Sequence, residues 1–279
     1  MRIAIFGKNS LLASGFQELL CDHDIKIFRY NDFDFIADKL SEFDWIINFG
    51  FDSRCLNELL KPEENLDIKI AKRIISSQTR LVFLSSRKVY KKKYPSFTFK
   101  EDDELLGLDP YSKNKILQEK YLRDYLKDQL LILRIPNVIA TPSVSLKSSS
   151  PTFSPWLCKQ IITNKEIALD RPFEKKDFIT LLFFQQTLKK LVMNNATGIY
   201  NISRGKFIEP IKLIRLYTNN KVKVKIKNTM NSCNDDFVLC NDKLFKDYGI
   251  EMTDFDFHNY LSICAKEIEL LIKNPFPGV

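Results

Sequence analysis

The chain has 279 residues, 44% of them apolar and 28% charged, with a net charge of +8. That balance supports a folded protein with a sizeable core, in one large domain or a domain with an appended lobe, and excludes wholesale disorder. The positive charge, bunched in runs such as Lys91-Lys92-Lys93, reads as a solvated surface and as a field that attracts anions; no zinc-finger spacing or RNA-binding signature accompanies it, so nucleic acid is not an expected partner.

Residues 2–6 form a short apolar run that ends at Gly7, as a buried strand does. Leu11–Leu20 carries helical periodicity, Ile25–Tyr30 reads as a second strand and Asp44–Gly50 as a third. Ile68–Ser77 is predicted to be a helix, Leu81–Ser86 a fourth strand, Pro110–Lys127 a long helix and Leu130–Ile135 a fifth strand. Continuously apolar strands alternating with helices predict an α/β fold of Rossmann type, a doubly wound parallel sheet covered on both faces. Beyond Ile135, Pro136, Pro142, Pro151, Pro155 and the run Ser148-Ser149-Ser150 mark an irregular stretch. Helices are then expected at Phe153–Thr163, Phe178–Met193, Glu209–Tyr217, Asp242–Tyr248 and Asn259–Ile272, and strands at Gly198–Ile202 and Lys221–Lys227. The expected organisation is a nucleotide-binding domain over 1–140 and a smaller, partly interleaved C-terminal α/β substrate lobe over 141–279, with some of its elements returning to the first domain.

Six cysteines without a CxxC pair read as reduced thiols, and two histidines, His23 and His258, leave little from which to build a metal site. No apolar run reaches membrane-spanning length, and the opening residues enter a strand at once. The expectation is a cytoplasmic protein with no metal and no membrane association.

The turn Gly7-Lys8-Asn9-Ser10-Leu11-Leu12-Ala13 follows the first strand. In a dinucleotide-binding turn one glycine makes the bend, a second lets the backbone approach the pyrophosphate and a third lets helix and strand pack closely. Gly7 holds the first position; Ser10 and Ala13 stand at the other two. Near the end of the second strand, Arg29 suits the 2′-phosphate of NADP, while Asp32 and Asp34 suit the free ribose of NAD.

Tyr111 and Lys115 lie four residues apart behind Asp109-Pro110, a helix cap and first-turn proline, and so share a helix face. Tyr217 and Lys221 have the same spacing but run from a helix end into a turn. A free phenol has a pKa of about 10, and a neighbouring ammonium lowers it, which suits proton exchange with a substrate oxygen while hydride moves at the attached carbon. Ser86, at the C-terminal end of the fourth strand, is placed to donate to the same oxygen.

These blocks occur in a characteristic order: the Gly7 turn, Asn48-Phe49-Gly50, Leu84-Ser85-Ser86-Arg87-Lys88-Val89-Tyr90, Asp109–Lys115, Leu133–Val138, Lys176–Ile179 and Gly198–Ile202. In them the chain resembles the extended short-chain dehydrogenases/reductases, the NAD(P)-dependent nucleotide-sugar epimerase, dehydratase and reductase family. The dTDP-4-dehydrorhamnose reductases are the nearest subgroup, on the Gly7-Lys8-Asn9 turn and Asn241–Leu244 before Tyr248-Gly249-Ile250. The resemblance implies Tyr111, Lys115 and Ser86 as catalytic residues. It implies a cofactor, NADP or NAD, held by Gly7, Asn9, Ser10, Leu11, Leu12, Arg29, Asn48, Phe49, Gly50 and Lys115. It implies a nucleotide-diphosphate sugar contacted by Ser86, Arg87, Asn137, Phe153 and Trp156, and a homodimer formed through helices 68–77 and 110–127. The expected reaction is reduction of a nucleotide-linked keto sugar; an epimerase on the same site and a non-catalytic NAD(P)-binding regulatory subunit are the alternatives. The chain departs from the family at Ser10, at Lys91, at Ala140-Thr141-Pro142, and at Gln185 and Gln186, where acids are usual.

Overall fold

Six of the apolar runs become strands of one parallel sheet in the computed structural model, which describes residues 1–93, 95–148, 150, 152–164, 166–227 and 235–273. Ser149 and Pro151 of the expected irregular stretch, and Cys233, lie outside these residues. The first half runs β1 (Arg2–Phe6), α1 (Phe16–Leu19), β2 (Asp24–Phe28), α2 (Phe33–Ile36), β3 (Trp45–Asn48), α3 (Leu66–Ile74), β4 (Arg80–Ser86), β5 (Thr98–Phe99), α4 (Pro110–Leu126) and β6 (Leu130–Ile135). The second half adds β7 (Asn137–Ile139), α5 (Pro142–Lys147), α6 (Phe153–Asn164), β8 (Glu166–Leu169), β9 (Lys176–Thr180), α7 (Leu181–Met193) and β10 (Gly198–Asn201). It closes with β11 (Phe207–Ile208), α8 (Pro210–Tyr217), β12 (Lys223–Ile226), β13 (Val238–Leu239), α9 (Asp242–Tyr248) and α10 (Asp254–Lys273).

The strand order of the main sheet is β10-β6-β4-β3-β1-β2. Chain order reverses direction between β1 and β3, so the crevice outside their carboxyl ends is where a doubly wound sheet binds ligands. Strand residues alternate between two apolar layers. Ile3, Ile5, Trp45, Ile47, Val82, Leu84, Leu131 and Leu133 pack with Phe16 of α1 and Leu188 and Leu191 of α7. Ala4, Phe6, Ile46, Leu81, Phe83, Leu130 and Ile132 pack with Ile70 and Ile74 of α3 and Leu122 and Leu126 of α4. Burial of one such aliphatic side chain is worth roughly 1.5–3 kcal/mol, and the double coverage explains why the inner strands lack a polar face, while the edge strand β2 exposes Asp24 and Lys26.

The helices start where their caps place them. Asn65 accepts from Ile68 N–H at 3.1 Å and Thr180 from Phe183 N–H at 3.1 Å. Asp109 accepts from Ser112 N–H at 2.8 Å, with Pro110 in the first turn of α4.

Several expectations need correction. The helix expected at Leu11–Leu20 is a 3-10 turn over Leu11–Ala13 followed by the short α1, because Gly15 sits between them at φ +74°. The helix expected from Phe178 begins at Leu181, since Phe178–Thr180 belong to β9, which pairs in parallel with β7. The stretch read as irregular holds β7, α5 and the start of α6. The final helix starts at Asp254 rather than Asn259. Strand β12, expected from its Lys/apolar alternation, pairs in parallel with β8.

Chain order and spatial order part at residue 140. Strand β10 returns to the main sheet beside β6, and α7 covers one of its faces. The Gln185 amide of α7 donates to the Leu12 and Ser14 carbonyls at 3.1 and 2.8 Å, bracing the turn after β1 from a distant part of the sequence.

Candidate active site

Two adjoining cavities run along the carboxyl ends of β1, β3, β4 and β6. The first, about 380 Å³, is lined by residues that include Ser10, Asn48, Phe49, Ser86, Tyr111, Lys115, Asn137 and Phe153. The second, about 420 Å³, is lined by residues that include Gly7, Lys8, Asn9, Arg29 and Asn31. Ser10, Phe49, Gly50, Phe51 and Ser150 border both, so the two form one groove.

The turn that closes the groove depends on Gly7. It has φ +86°, and a Cβ there would stand 2.4 Å from the Gly50 nitrogen and 2.6 Å from the Phe49 carbonyl carbon. The Gly50 N–H in turn donates to Asn48 Oδ1 at 2.8 Å, fixing the backbone that leaves β3. Only glycine can make this bend with two main chains so close, the role the first glycine of such a turn has. The Tyr30 phenol beside it is pushed up to about 12, by burial first and then by the Asp52 and Asp67 carboxylates, so it stays neutral. Arg29 faces the same cavity as Lys8, and its backbone N–H donates to Asp32 Oδ2 at 2.7 Å. Asp32 is thereby spent as a cap, and neither Asp32 nor Asp34 lines the groove.

Ser86 ends β4 and is nearly buried; its Oγ accepts the Lys88 N–H at 3.2 Å, which caps the 3-10 turn Arg87–Val89. Tyr111 opens α4 with its ring edge-on to Phe51, centroids 5.8 Å apart. The Lys115 ammonium donates to the Leu84 carbonyl at 2.8 Å and lies 4.6 Å from the centroid of the Phe83 ring. The Lys88 ammonium pairs with Asp109 at 2.9 Å and stands 5.7 Å from the centroid of the Tyr111 ring, tying the strand end that carries Ser86 to the cap of the helix that carries Tyr111. Burial works to raise the pKa of Asp109, yet hydrogen bonds from Lys88 and Ser112 prevail and hold it at about 2.

Below α4 a buried ionic cluster fixes the register of the helix against the sheet. Arg134 of β6 donates to Glu119 through Nε at 3.0 Å and Nη2 at 2.6 Å, and Ser85 Oγ donates to the same carboxylate at 2.5 Å. Arg134 also donates to the Tyr90 hydroxyl at 3.0 Å, and Tyr90 donates to Asn201 of β10 at 2.7 Å. Glu119 lies one helical turn beyond Lys115, so this cluster bears directly on where the ammonium sits.

The groove brings together Gly7, Asn9, Ser10, Leu11, Leu12, Arg29, Asn48, Phe49, Gly50, Ser86, Arg87, Tyr111, Lys115, Asn137 and Phe153. Trp156 does not line it: the indole is 38% exposed and leans on Phe153, centroids 5.7 Å apart. It lies three residues further along α6, on the same face as Phe153 but beyond the residues that line the cleft. Arg87 reaches the cleft but is already engaged. Its guanidinium meets both oxygens of Asp235 at 2.7 and 3.2 Å and lies 3.7 Å from the centroid of the Phe237 ring. Asp235 also takes Lys176 at 2.7 Å, and these cations hold its carboxyl well below the usual range despite burial.

Phe51, Asp67, Lys88 and Asn114 escape the sequence reading. Phe51 follows the Phe49-Gly50 pair closely enough to be suspected. Asn114 holds the loop before α3 through its bonds to the Glu58 carbonyl, 2.7 Å, and the Leu60 N–H, 3.0 Å, a tertiary role with no local signal. An acid in the first turn of a helix, such as Asp67, reads as a dipole partner until its burial is seen.

No family model and no curated protein sequence matches the chain. Solved structures do match, over nearly the full length of both partners, and among them are extended short-chain dehydrogenases/reductases. A dTDP-4-dehydrorhamnose reductase from Clostridium acetobutylicum superposes with a TM-score of 0.74 at 16% identity, over 98% of this chain and 100% of that one. An NAD-dependent NDP-hexosamine 5,6-dehydratase involved in tunicamycin biosynthesis gives 0.79 at 14% identity, over 96% and 98%. A UDP-N-acetylglucosamine 4-epimerase from Methanobrevibacter ruminantium gives 0.77 at 16% identity, over 95% and 97%. The fold is thus shared, while identities this low leave the chemistry to be argued from the site.

Proposed function

We propose that the chain is an NADP-dependent reductase of a keto group on a nucleotide-linked sugar. The observation that carries this reading is the convergence of Ser86, Tyr111 and Lys115 on one cleft that continues into the Gly7 turn. The reductase and the epimerase among the structures of the same fold agree with it.

The groove fits a dinucleotide. Gly7 and Gly50 pack the turn after β1 against the exit of β3 at the wall of the groove, and Arg29 with Lys8 offers positive charge to a 2′-phosphate where no acid lines the cavity. Asn48, Phe49 and Lys115 would hold the nicotinamide end. When bound, that group supplies the hydride. Tyr111 gives its phenolic proton to the new alkoxide, Ser86 donates a hydrogen bond to the same oxygen, and Lys115 stabilises the phenolate left behind. Asn137 and Phe153 would receive the sugar and nucleotide, with Arg87 exchanging Asp235 for a diphosphate oxygen.

The same reading includes a homodimer through α3 and α4, where Ile75, at the C-cap of α3, and Leu117 of α4 are 45% and 42% exposed, and a cytoplasmic location, in keeping with free cysteines among the described residues. No described helix is long and apolar enough to cross a membrane.

The test is NADPH oxidation with dTDP-4-dehydrorhamnose and related keto sugars. A reductase consumes cofactor in step with product; an epimerase would convert sugar with no net consumption. Cofactor binding without turnover of any such sugar would favour the regulatory alternative.

A further inference from the structure

Adjoining the main cleft at Asn48, Asp67, Tyr111 and Lys115 lies a small cavity whose polar lining also includes Asn114 and Gln118. Its free space is about 20 Å³, and about 10–15 Å³ suffices for one water, provided two or more polar groups receive it. Two independent features supply such groups. Gln118 is 5% exposed, and its Oε1 has no hydrogen-bond partner among the described residues. Asp67 is 6% exposed, accepts one hydrogen bond from Asn48 Nδ2 at 2.8 Å, and borders both this cavity and the main cleft. Lys115 spends one of its three N–H donors on the Leu84 carbonyl. A buried acceptor left unmatched costs about 1–3 kcal/mol, which a water shared by these groups removes.

We propose that Asp67 is the proton store of this site: one water, fixed by Gln118 Oε1, connects its carboxyl to the Lys115 ammonium and so to Tyr111. The inference rests on the reductase reading above and adds to it a second acid. After Tyr111 has given up its proton, Lys115 passes one to the phenolate, the water replaces it, and Asp67 replaces the proton of the water. The balance is one proton moved from Asp67 Oδ to Tyr111 Oη, with lysine and water unchanged. Asp67 thus acts through Lys115 as a positioning, proton-holding residue. The setting supports this. Burial raises its pKa above the usual carboxylate value, against the pull of Lys115 and of the Asn48 hydrogen bond. The other titratable groups around it are Tyr30, Asp52, Cys55 and Tyr111.

Two measurements test it. A high-resolution crystal structure of the unliganded protein should show an ordered water within hydrogen-bond distance of Gln118 Oε1 and Asp67; a dry cavity overturns the proposal. In kinetics with NADPH and a turned-over keto sugar, kcat of the wild type should fall as pH rises through the titration of Asp67. In Asp67→Asn that limb should vanish and kcat should drop about 10–100-fold with KM unchanged. Gln118→Leu, which removes the water's anchor but keeps the acid, should lower kcat in the same way and serves if Asp67→Asn does not fold. An unmoved pH profile in these variants sinks the proton store while the reductase reading stands, provided Tyr111→Phe abolishes turnover. Full activity of Tyr111→Phe sinks both.

Discussion

Glu119 holds Arg134 by both carboxylate oxygens, with side chains only 3% and 2% exposed. The pair joins the helix of Tyr111 and Lys115 to β6. Removing one partner strands the other charge in the core, a loss of about 3–5 kcal/mol. Glu119→Ala should therefore lower the denaturant midpoint steeply. A loss below 1 kcal/mol in urea unfolding would show the cluster to be water-accessible.

Gly7 and Gly15 both have positive φ, but only Gly7 is hemmed in by backbone. Gly15→Ala should cost about 1–2 kcal/mol from the left-handed conformation alone. Gly7→Ala must also push the Gly50 segment away and should weaken NADP binding at least tenfold by calorimetry. Equal effects of the two substitutions would contradict a role for the Gly7–Gly50 packing.

Arg29 shares its cavity with Lys8 and has no acid competing for the ribose. Arg29→Ala should weaken NADP binding by about tenfold, the worth of a charge-assisted contact of 1.5 kcal/mol or so, and leave NAD nearly unchanged. Parallel titrations with the two cofactors decide this; an equal loss for both would remove the assignment.

Asp177 of β9 is fully buried, and desolvation, against hydrogen bonds from Ser203 and Leu239 N–H, raises its pKa to about 6. Ser203 Oγ lies 2.5 Å from both Asp177 Oδ2 and the Leu239 carbonyl, yet has one proton to give. A protonated Asp177 resolves the conflict by donating to Ser203. With the folded value above the unfolded one, this contribution to stability is full below about pH 4 and is lost as pH rises through about 6. Asp177→Asn should flatten that part of the stability curve in unfolding titrations at pH 4–7; an unchanged slope would assign the titration elsewhere.

The first five strands of the main sheet and the Tyr111 helix were legible because each is written locally. Burial on both faces demands unbroken apolar runs, and Asp109-Pro110 announces a helix start. The break at Gly15 was not, since periodicity from Leu11 to Leu20 is indifferent to one left-handed residue. Strand β7 was hidden because it has only three residues, and β9 because its apolar end runs straight into α7. At the candidate site, the shared cleft of Ser86, Tyr111 and Lys115 could be anticipated from a strand end and a helical spacing. The engagement of Arg87 by Asp235, 148 residues away, and the burial of Asp67 are tertiary facts. Trp156 misled because an aromatic on a helix names no direction.

The return of β10 to the side of β6 means that residues 1–140 cannot be cut out as an autonomous module. A fragment ending at residue 140 would leave β6 as a bare rim, with the Leu131 and Leu133 amides and carbonyls that now meet Gly198 and Tyr200 open to any passing chain. Such a truncation should self-associate rather than fold. A split-protein reporter or domain graft built on this scaffold must carry the strand at 198–201 with it.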